Sequence, residues 1–172
     1  IIELQSNSLT SSDLQVGFSE KSSTVQYTFV VQEVVNYYVR NDSNVYCTFL
    51  DASKAFDRVQ YNKLFAQLSE KKMCPMVIRF LCFMYTKQKC RVKWESSISE
   101  SFDVPNGVKQ GGVLYPLLFN IYIDVLLTRL RSNGLGCFIG NNYFGAVAYA
   151  DDVVLLSPTV SNFKSMLKIC EE

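Results

Sequence analysis

Acidic residues placed directly beside apolar runs limit how this chain can fold. Asp51 follows the apolar run VYCTFL, and the pair Asp151-Asp152 lies between two further apolar runs. Short runs rich in β-branched and aromatic residues predict strands that are buried on both faces. An acid beside such a strand is costly unless it is solvated, paired or bound to a cation. If the strands are neighbours in one sheet, Asp51 and Asp151 meet at its edge.

Carboxylates gathered at one sheet edge repel one another unless a hard cation lies between them. Mg²⁺ prefers oxygen ligands and leaves coordination positions open for phosphate oxygens. Two such ions can promote phosphoryl transfer by activating a hydroxyl and stabilising the leaving oxygen. The spacing leaves a second interpretation open, in which Asp51 caps the next helix and Asp151-Asp152 only fills a turn.

Composition excludes several other kinds of chemistry. The 172 residues contain no histidine, which rules out a Ser-His-Asp triad, a Cys-His pair and a His-ligated metal. The six cysteines show no CxxC spacing, so we expect free buried thiols in a reducing, intracellular compartment. No apolar run of about 20 residues is present, so we expect no membrane segment. The net charge of +1 lacks the basic excess of many nucleic-acid-binding proteins.

Hydrophobic periodicity predicts helices alternating with short strands. The helices are expected at residues 24–40, 61–71, 75–87, 113–131 and 160–172. Strands are expected at 45–50, 90–94, 101–104, 144–149 and 153–157. The strand at 90–94 is expected to pair with the strand at 101–104, and the strand at 144–149 is expected to form a hairpin with the strand at 153–157. This mixture predicts an α+β fold with an antiparallel sheet.

Three segments together resemble successive motifs of reverse transcriptases, in the family's order. They are FLDASKAFDRV (49–59), NGVKQGGVLYPLLFNIYID (106–124) and AYADDVVLL (148–156). The segment LQVGF (14–18) also resembles an upstream family motif that usually reads QxGF. The sequences of these motifs are most similar to those of LINE-type retrotransposons, which lack long terminal repeats.

The resemblance implies a right-hand polymerase palm, an antiparallel sheet backed by helices, with part of the fingers. Residues 1–43 would belong to the fingers or an N-terminal segment, and residues 44–172 to the palm. The thumb would be absent and both ends cut, so fingers, thumb and an endonuclease domain are expected in the parent protein. The resemblance is also consistent with localisation of the protein in the nucleus.

The resemblance also implies which residues bind metal. Asp51, Asp151 and Asp152 would be the catalytic acids, and together with the carbonyl of Ala52 they would hold two Mg²⁺ ions, or Mn²⁺ in their place. Tyr149 and Ala150 would lie by the primer end and its terminal base pair.

Phe56 matches the family position where a bulky aromatic side chain lies beneath the incoming sugar. A ring there leaves no space for a 2′-hydroxyl, so deoxynucleotides would be selected. The backbone amides of Lys54, Ala55 and Phe56 would face the triphosphate. The alternative is that Phe56 is simply a core aromatic residue.

Gln110 and Gly111 match the second motif and would approach the nucleotide or the template. Lys109 would meet a template or primer phosphate, although an exposed lysine is commonly only solvated. Tyr115 departs from the family, which usually has a small serine before the proline. Asp124 is expected on a helix surface.

The resulting hypothesis is an RNA-directed DNA polymerase that joins a dNTP to a DNA primer on an RNA template, weakly active or inactive as this fragment. One alternative is a degenerate, non-catalytic palm remnant that at most binds nucleic acid. A viral RNA-dependent RNA polymerase would usually have glycine before the acid pair and a small polar sugar selector. Ala150 and Phe56 therefore argue against it.

Overall fold

Helices and antiparallel strands both occur along the chain in the computed structural model, which describes residues 12–17, 23–108, 111–112 and 114–171. The helices of these ranges are α1 (Thr24–Arg40), α2 (Tyr61–Glu70), α3 (Pro75–Thr86), α4 (Tyr115–Ser132) and α5 (Val160–Glu171). The strands are β1 (Tyr46–Asp51), β2 (Lys89–Cys90), β3 (Lys93–Trp94), β4 (Ser97–Ile98), β5 (Phe102–Asp103), β6 (Phe138–Ile139), β7 (Asn142–Tyr143), β8 (Ala146–Tyr149) and β9 (Asp152–Ser157). The predicted α+β class is confirmed.

The chain divides into two compact units. Unit 1 contains Lys54–Tyr122, and unit 2 contains residues 12–53 together with 123–171. Helix α4 begins in unit 1 and continues into unit 2. The predicted division into residues 1–43 and 44–172 stays a prediction about fingers and palm.

The main sheet of unit 2 has the order β1-β9-β8, and both pairings are antiparallel. Alternate residues of a strand point to opposite faces, and the two faces of this sheet have separate cores. One face presents Val147, Val154 and Leu156, which belong to the same buried cluster as Val34 of α1. The other face packs against α4 and α5, through a buried cluster that contains Ala146, Ala148, Val153, Leu155, Leu127, Leu130 and Met166.

The outer edge of β8 is paired with the short segment 12–17. The Val16 amide donates to the Ala148 carbonyl (2.8 Å), and the Ala148 amide donates to the Leu14 carbonyl (2.8 Å). Gln15 thereby forms a parallel bridge with Ala148. The pairing satisfies backbone groups that an open edge would leave exposed.

The prediction that the first strand is buried on both faces was wrong. Phe49 of β1 is 67% exposed and Cys47 is also exposed, whereas Leu50 is half-buried against the core. The strand lies at the edge of the sheet, next to β9, while α1 packs against β8. An apolar run indicates a strand, but it does not show which part of the sheet the covering helix occupies.

In unit 1, α2 and α3 pack together around Leu64, Leu68 and Leu81, each at most 1% exposed. The predicted pairing between the strand near residue 90 and the strand near residue 102 is confirmed by the β2–β5 ladder. The short β3–β4 hairpin within it was not predicted. None of the described helices is long and apolar enough to cross a membrane.

Leu155→Ala should destabilise the protein by about 2–5 kcal/mol, because a fully buried leucine at the sheet's centre is replaced by a cavity. The free energy of unfolding can be measured by urea denaturation followed by circular dichroism. Val125→Ala, at a 45% exposed site on α4, is the control and should change it by less than about 0.5 kcal/mol. Equal effects of the two substitutions would contradict this core.

Candidate functional site

Three aspartates occupy one end of the main sheet in unit 2. Asp51 is the last residue of β1 and lies directly opposite Asp152, the first residue of β9. Asp151 is the neighbouring residue in the two-residue loop between β8 and β9. Directly opposed residues of an antiparallel pair project to the same face, with Cβ atoms roughly 5 Å apart. The chain therefore places two carboxylates side by side and a third next to them.

The electrostatics of Asp152 reflect this crowding. Its carboxyl pKa is raised above the ordinary value, first by loss of solvent around the group and then by the charges of Asp151 and Asp51. Loss of solvent is the largest cause although the residue as a whole is exposed. Opposed like charges destabilise a strand pair, so ionisation of this cluster works against the fold.

The donor set fits a hard divalent cation that takes further ligands from solvent or substrate. All three side chains offer only carboxylate oxygens, which suit Mg²⁺ and Mn²⁺. Among the described residues, no group of three or more histidine, cysteine, aspartate or glutamate side chains, these aspartates included, is arranged so that it could hold a metal ion without further ligands. An open site of this kind suits a cation that is shared with a bound phosphate.

The loop between β8 and β9 has an unusual backbone conformation. Ala150 has φ of +57°, a left-handed value that costs a non-glycine residue about 1–2 kcal/mol. The first position of such a two-residue turn commonly takes glycine. Ala150 is nevertheless buried, and its amide and carbonyl both bond to the side chain of Gln15. We refer to Ala150 and Asp151 as the hairpin tip.

Tyr149 lies opposite Asp152 in the β8–β9 ladder and so projects to the same face as the acids. Its ring is 6.0 Å from the ring of Tyr27 on α1. Burial raises the pKa of Tyr27 to about 12, and the charges of Asp152 and Cys47 add to the increase. The face that carries the acids is therefore bordered by the phenol rings of Tyr149 and Tyr27.

Unit 1 contains the residues expected to bind nucleotide. Phe56 begins a short 3₁₀ turn, and its ring packs 4.6 Å from Tyr115 and 4.2 Å from Phe119 between centroids. The ring is half-buried, so it is neither fully enclosed nor free in solvent. Tyr115, the departure from the family pattern, is a buried member of this aromatic cluster.

The two motif segments of unit 1 are joined by backbone hydrogen bonds. The Val108 amide donates to the Phe56 carbonyl (2.9 Å), and the Gly107 amide donates to the Val59 carbonyl (2.9 Å). Gly107 has φ of +94°, and a Cβ there would lie 3.0 Å from the backbone of Asp57. This close approach requires glycine.

The other expected nucleotide-binding residues are placed as follows. Lys54 precedes the 3₁₀ turn with φ of +55° and is exposed, whereas Ala55 is half-buried. Gly111 has φ of +81°, and no atom lies within 4 Å of a Cβ built there. Lys109 and Gln110 lie outside the described residues, and Ala52 is exposed beside Asp51.

The expectation that Asp124 lies on a helix surface was wrong. Asp124 is 6% exposed, and its Oδ1 accepts a hydrogen bond from the Ser12 amide at 2.7 Å. The acid therefore helps to fix the start of the segment that pairs with β8. Helical spacing alone did not reveal a partner 112 positions away in sequence.

The structural role of Gln15 was also missed. The only available signal was its place in LQVGF, a segment similar to an upstream family motif. Phe18 of that segment lies outside the described residues.

Comparisons with known proteins give a family and a fold. Residues 3–172 match the reverse transcriptase (RNA-dependent DNA polymerase) family. The chain is 33% identical over 127 residues to the retrovirus-related Pol polyprotein of a type-1 R2 retrotransposable element from Nasonia vitripennis. It is 29% identical over 153 residues to the Pol polyprotein of the type-2 element R2DM from Drosophila melanogaster.

These alignments cover 74% and 89% of this chain but only 12% and 14% of the relatives' lengths. Apo telomerase from Candida tropicalis, truncated from its C-terminal domain, aligns with a TM-score of 0.72 at 16% sequence identity. That alignment covers 99% of this chain and 35% of the telomerase chain. The likeness shows a shared fold, which confirms the expected polymerase architecture.

Asp152→Asn should raise the free energy of unfolding by about 0.5 kcal/mol at pH 7 without divalent cations, because it removes an opposed like charge. The pKa of Asp152 is raised in the folded state, so acidification stabilises the native protein as this carboxyl takes up its proton. The gain from the substitution should therefore disappear as the pH falls to about 3.

Urea denaturation at several pH values measures this difference. Glu100→Gln, an exposed carboxylate between β4 and β5, is the control and should show no comparable dependence on pH. A protein that loses stability at pH 7 on Asp152→Asn would contradict the repulsion.

Proposed function

Because this chain belongs to the reverse transcriptase family, we propose that its three aspartates form the metal-binding centre of an RNA-directed DNA polymerase. The observation that carries the proposal is the pairing of Asp51 with Asp152, with Asp151 beside them. Such a concentration of negative charge destabilises an isolated sheet end. The same charge becomes favourable when divalent cations bind to the carboxylates and phosphate oxygens complete the coordination of the cations. The matches to R2 Pol polyproteins confirm the expected kinship with LINE-type retrotransposons.

Reverse transcriptases use divalent metal ions, and Mg²⁺ is the ion proposed here. Asp51, Asp151 and Asp152 would hold it together with the backbone carbonyl of Ala52, and Mn²⁺ could replace it. When bound, a pair of such ions lowers the barrier to phosphoryl transfer from a dNTP to a primer 3′-hydroxyl. The chain's own contribution is to place Asp51 and Asp152 on one antiparallel strand pair, with Asp151 in the adjoining loop, before substrate arrives.

The remaining contacts are proposed from the family motifs. Tyr149 and Ala150 would meet the end of a DNA primer. Phe56 would contact the sugar of the incoming nucleotide, and the proposed triphosphate contacts are the backbone amides of Lys54, Ala55 and Phe56. Gln110 and Gly111 would contact the nucleotide or the template, and Lys109 would contact a phosphate of the template or primer.

The chain spans only 12% and 14% of the lengths of the R2 relatives. Processive synthesis, binding of an RNA template and action in the nucleus are therefore proposals about the whole protein to which this sequence belongs. The competing proposal is a non-catalytic remnant of the palm. Tyr115, where the family usually has a small residue, favours that alternative, whereas the complete set of acids favours catalysis.

Asp151→Asn should reduce primer extension on an RNA template by at least about 100-fold, because a divalent cation contributes several kcal/mol to phosphoryl transfer. The assay should use the polypeptide with its natural flanking sequence, dNTPs and Mg²⁺. Glu100→Gln is the control and should retain full activity. If the unsubstituted protein is folded and binds the primer–template but adds no nucleotide, the remnant interpretation replaces the polymerase.

Phe56→Val should reduce the preference for dNTP over rNTP by about 10-fold or more, because a smaller side chain admits the 2′-hydroxyl. The measurement is kcat/KM for single-nucleotide addition with each substrate. Phe80→Val, at a 60% exposed site on α3, is the control and should leave the preference unchanged. Unchanged selectivity in Phe56→Val would show that the ring is only a packing residue.

A further inference from the structure

The hairpin tip is held in a conformation that its own sequence does not favour. Ala150 has a left-handed φ, and the residue after it is one of the clustered acids. A two-residue loop with alanine in this position would relax toward other conformations if nothing held it. Such a change would redirect the side chains of Asp151 and Asp152. The β8–β9 pairing favours a positive φ at this position, and a contact from outside the hairpin can offset the cost that alanine brings.

This contact is made by the side chain of Gln15. Its Nε2 donates to the Ala150 carbonyl at 3.1 Å, and its Oε1 accepts from the Ala150 amide at 3.2 Å. The same Oε1 accepts from the Gly17 amide at 2.9 Å. The amide side chain thus bonds to both polar backbone groups of one residue, which fixes the orientation of the peptide units on either side of it.

The chemistry of this contact is specific for glutamine. Gln15 is 3% exposed, so an unmatched donor or acceptor there would be costly. A glutamate would keep the two accepted bonds but could not donate to the Ala150 carbonyl while ionised. A methionine has a similar length and forms none of the three bonds.

The backbone around Gln15 brings it to the tip. Leu14 and Val16 pair with Ala148, which continues the sheet by one short strand and directs the intervening side chain along β8. Gly17 then passes so close that a Cβ there would lie 2.3 Å from the Ala150 nitrogen. The segment 14–17 therefore contacts the hairpin tip in two ways. The side chain of Gln15 bonds to Ala150, and the absence of a side chain at Gly17 lets its backbone pass close to the same residue.

We infer that Gln15 is a positioning residue, which holds Ala150 in its left-handed conformation and thereby orients Asp151 and Asp152 for binding a divalent cation. The inference rests on the proposed metal centre and adds a residue distant in sequence to it. In this role Gln15 acts through its hydrogen bonds to Ala150 and is not itself a metal ligand. Its effect should appear in metal affinity, which second-layer partners of metal ligands commonly change by 10- to 100-fold.

The test is a Mn²⁺ titration of the 172-residue chain, followed by electron paramagnetic resonance of the free ion. We expect Gln15→Met to raise the Kd for Mn²⁺ by about 10-fold or more. Leu14→Ala is the matched control, since it removes buried contacts from the same segment and leaves the three hydrogen bonds of Gln15 in place. It should change the Kd by less than about twofold, although it destabilises the fold, because only the Gln15 substitution releases the tip.

A second substitution covers the case in which Gln15→Met does not fold. Gly17→Ala keeps the Gln15 side chain but displaces the Ala150 backbone, and it should also weaken Mn²⁺ binding. Amide hydrogen exchange supplies an independent measurement: the Ala150 amide should exchange faster in Gln15→Met than in Leu14→Ala at equal global stability.

Mn²⁺ binding by Asp151→Asn distinguishes failure of the positioning role from failure of the proposed metal centre. If it weakens Mn²⁺ binding while folded Gln15→Met binds like the unsubstituted chain, the positioning role is wrong and the metal centre remains. If Asp151→Asn binds Mn²⁺ normally, the proposed metal centre is wrong and the positioning role for metal falls with it. If Leu14→Ala weakens binding as much as Gln15→Met, general loosening of the segment explains the result, which also overturns the inference.

Discussion

The facing of Asp51 and Asp152 across one antiparallel strand pair is the constraint on which the rest of this site depends. It follows from the register of β1 on β9, because a slip of one residue would turn each side chain to the other face. That register is supported by the strict alternation of β9. Val154 faces the cluster that includes α1, and Val153 and Leu155 face the cluster that includes α4 and α5. The apolar interior therefore determines where the charges lie.

The site carries two local costs, and both concern the same few residues. The opposed carboxylates repel each other, and this repulsion adds to loss of solvent, the larger cause, in raising the pKa of Asp152. Ala150 adopts a conformation better suited to glycine. Local strain of this kind persists where surrounding contacts enforce it, and it is commonly found at functional sites. Here the enforcing contacts come from the buried amide of Gln15.

Much of this arrangement could be predicted from sequence because it depends on local patterns. Apolar runs with clear ends predicted β9 and its hairpin, and the acids beside those runs predicted a cluster. The direct neighbour of Asp51 is Asp152, whereas the sequence argument named Asp151, because register cannot be deduced to a single residue from composition. The catalytic and metal-binding roles of these acids stay predictions.

Other features depend on contacts between distant parts of the chain, which periodicity does not contain. The exposure of Phe49 follows from the edge position of β1 and from the packing of α1 on β8. Asp124 is buried by a partner 112 residues earlier, and Gln15 bonds to a residue 135 positions later. Local sequence gave no sign of either contact beyond the LQVGF motif.

The most direct test of the account is to locate a bound paramagnetic ion on the chain. Substoichiometric Mn²⁺ should broaden the backbone amide signals of Asp51 and of residues 149–153 first in a ¹⁵N-resolved NMR spectrum. Signals near the exposed acids Glu100 and Asp103 should broaden only at higher Mn²⁺ concentration. Equal broadening at every exposed carboxylate, or broadening centred elsewhere, would contradict a shared cation site at the three aspartates.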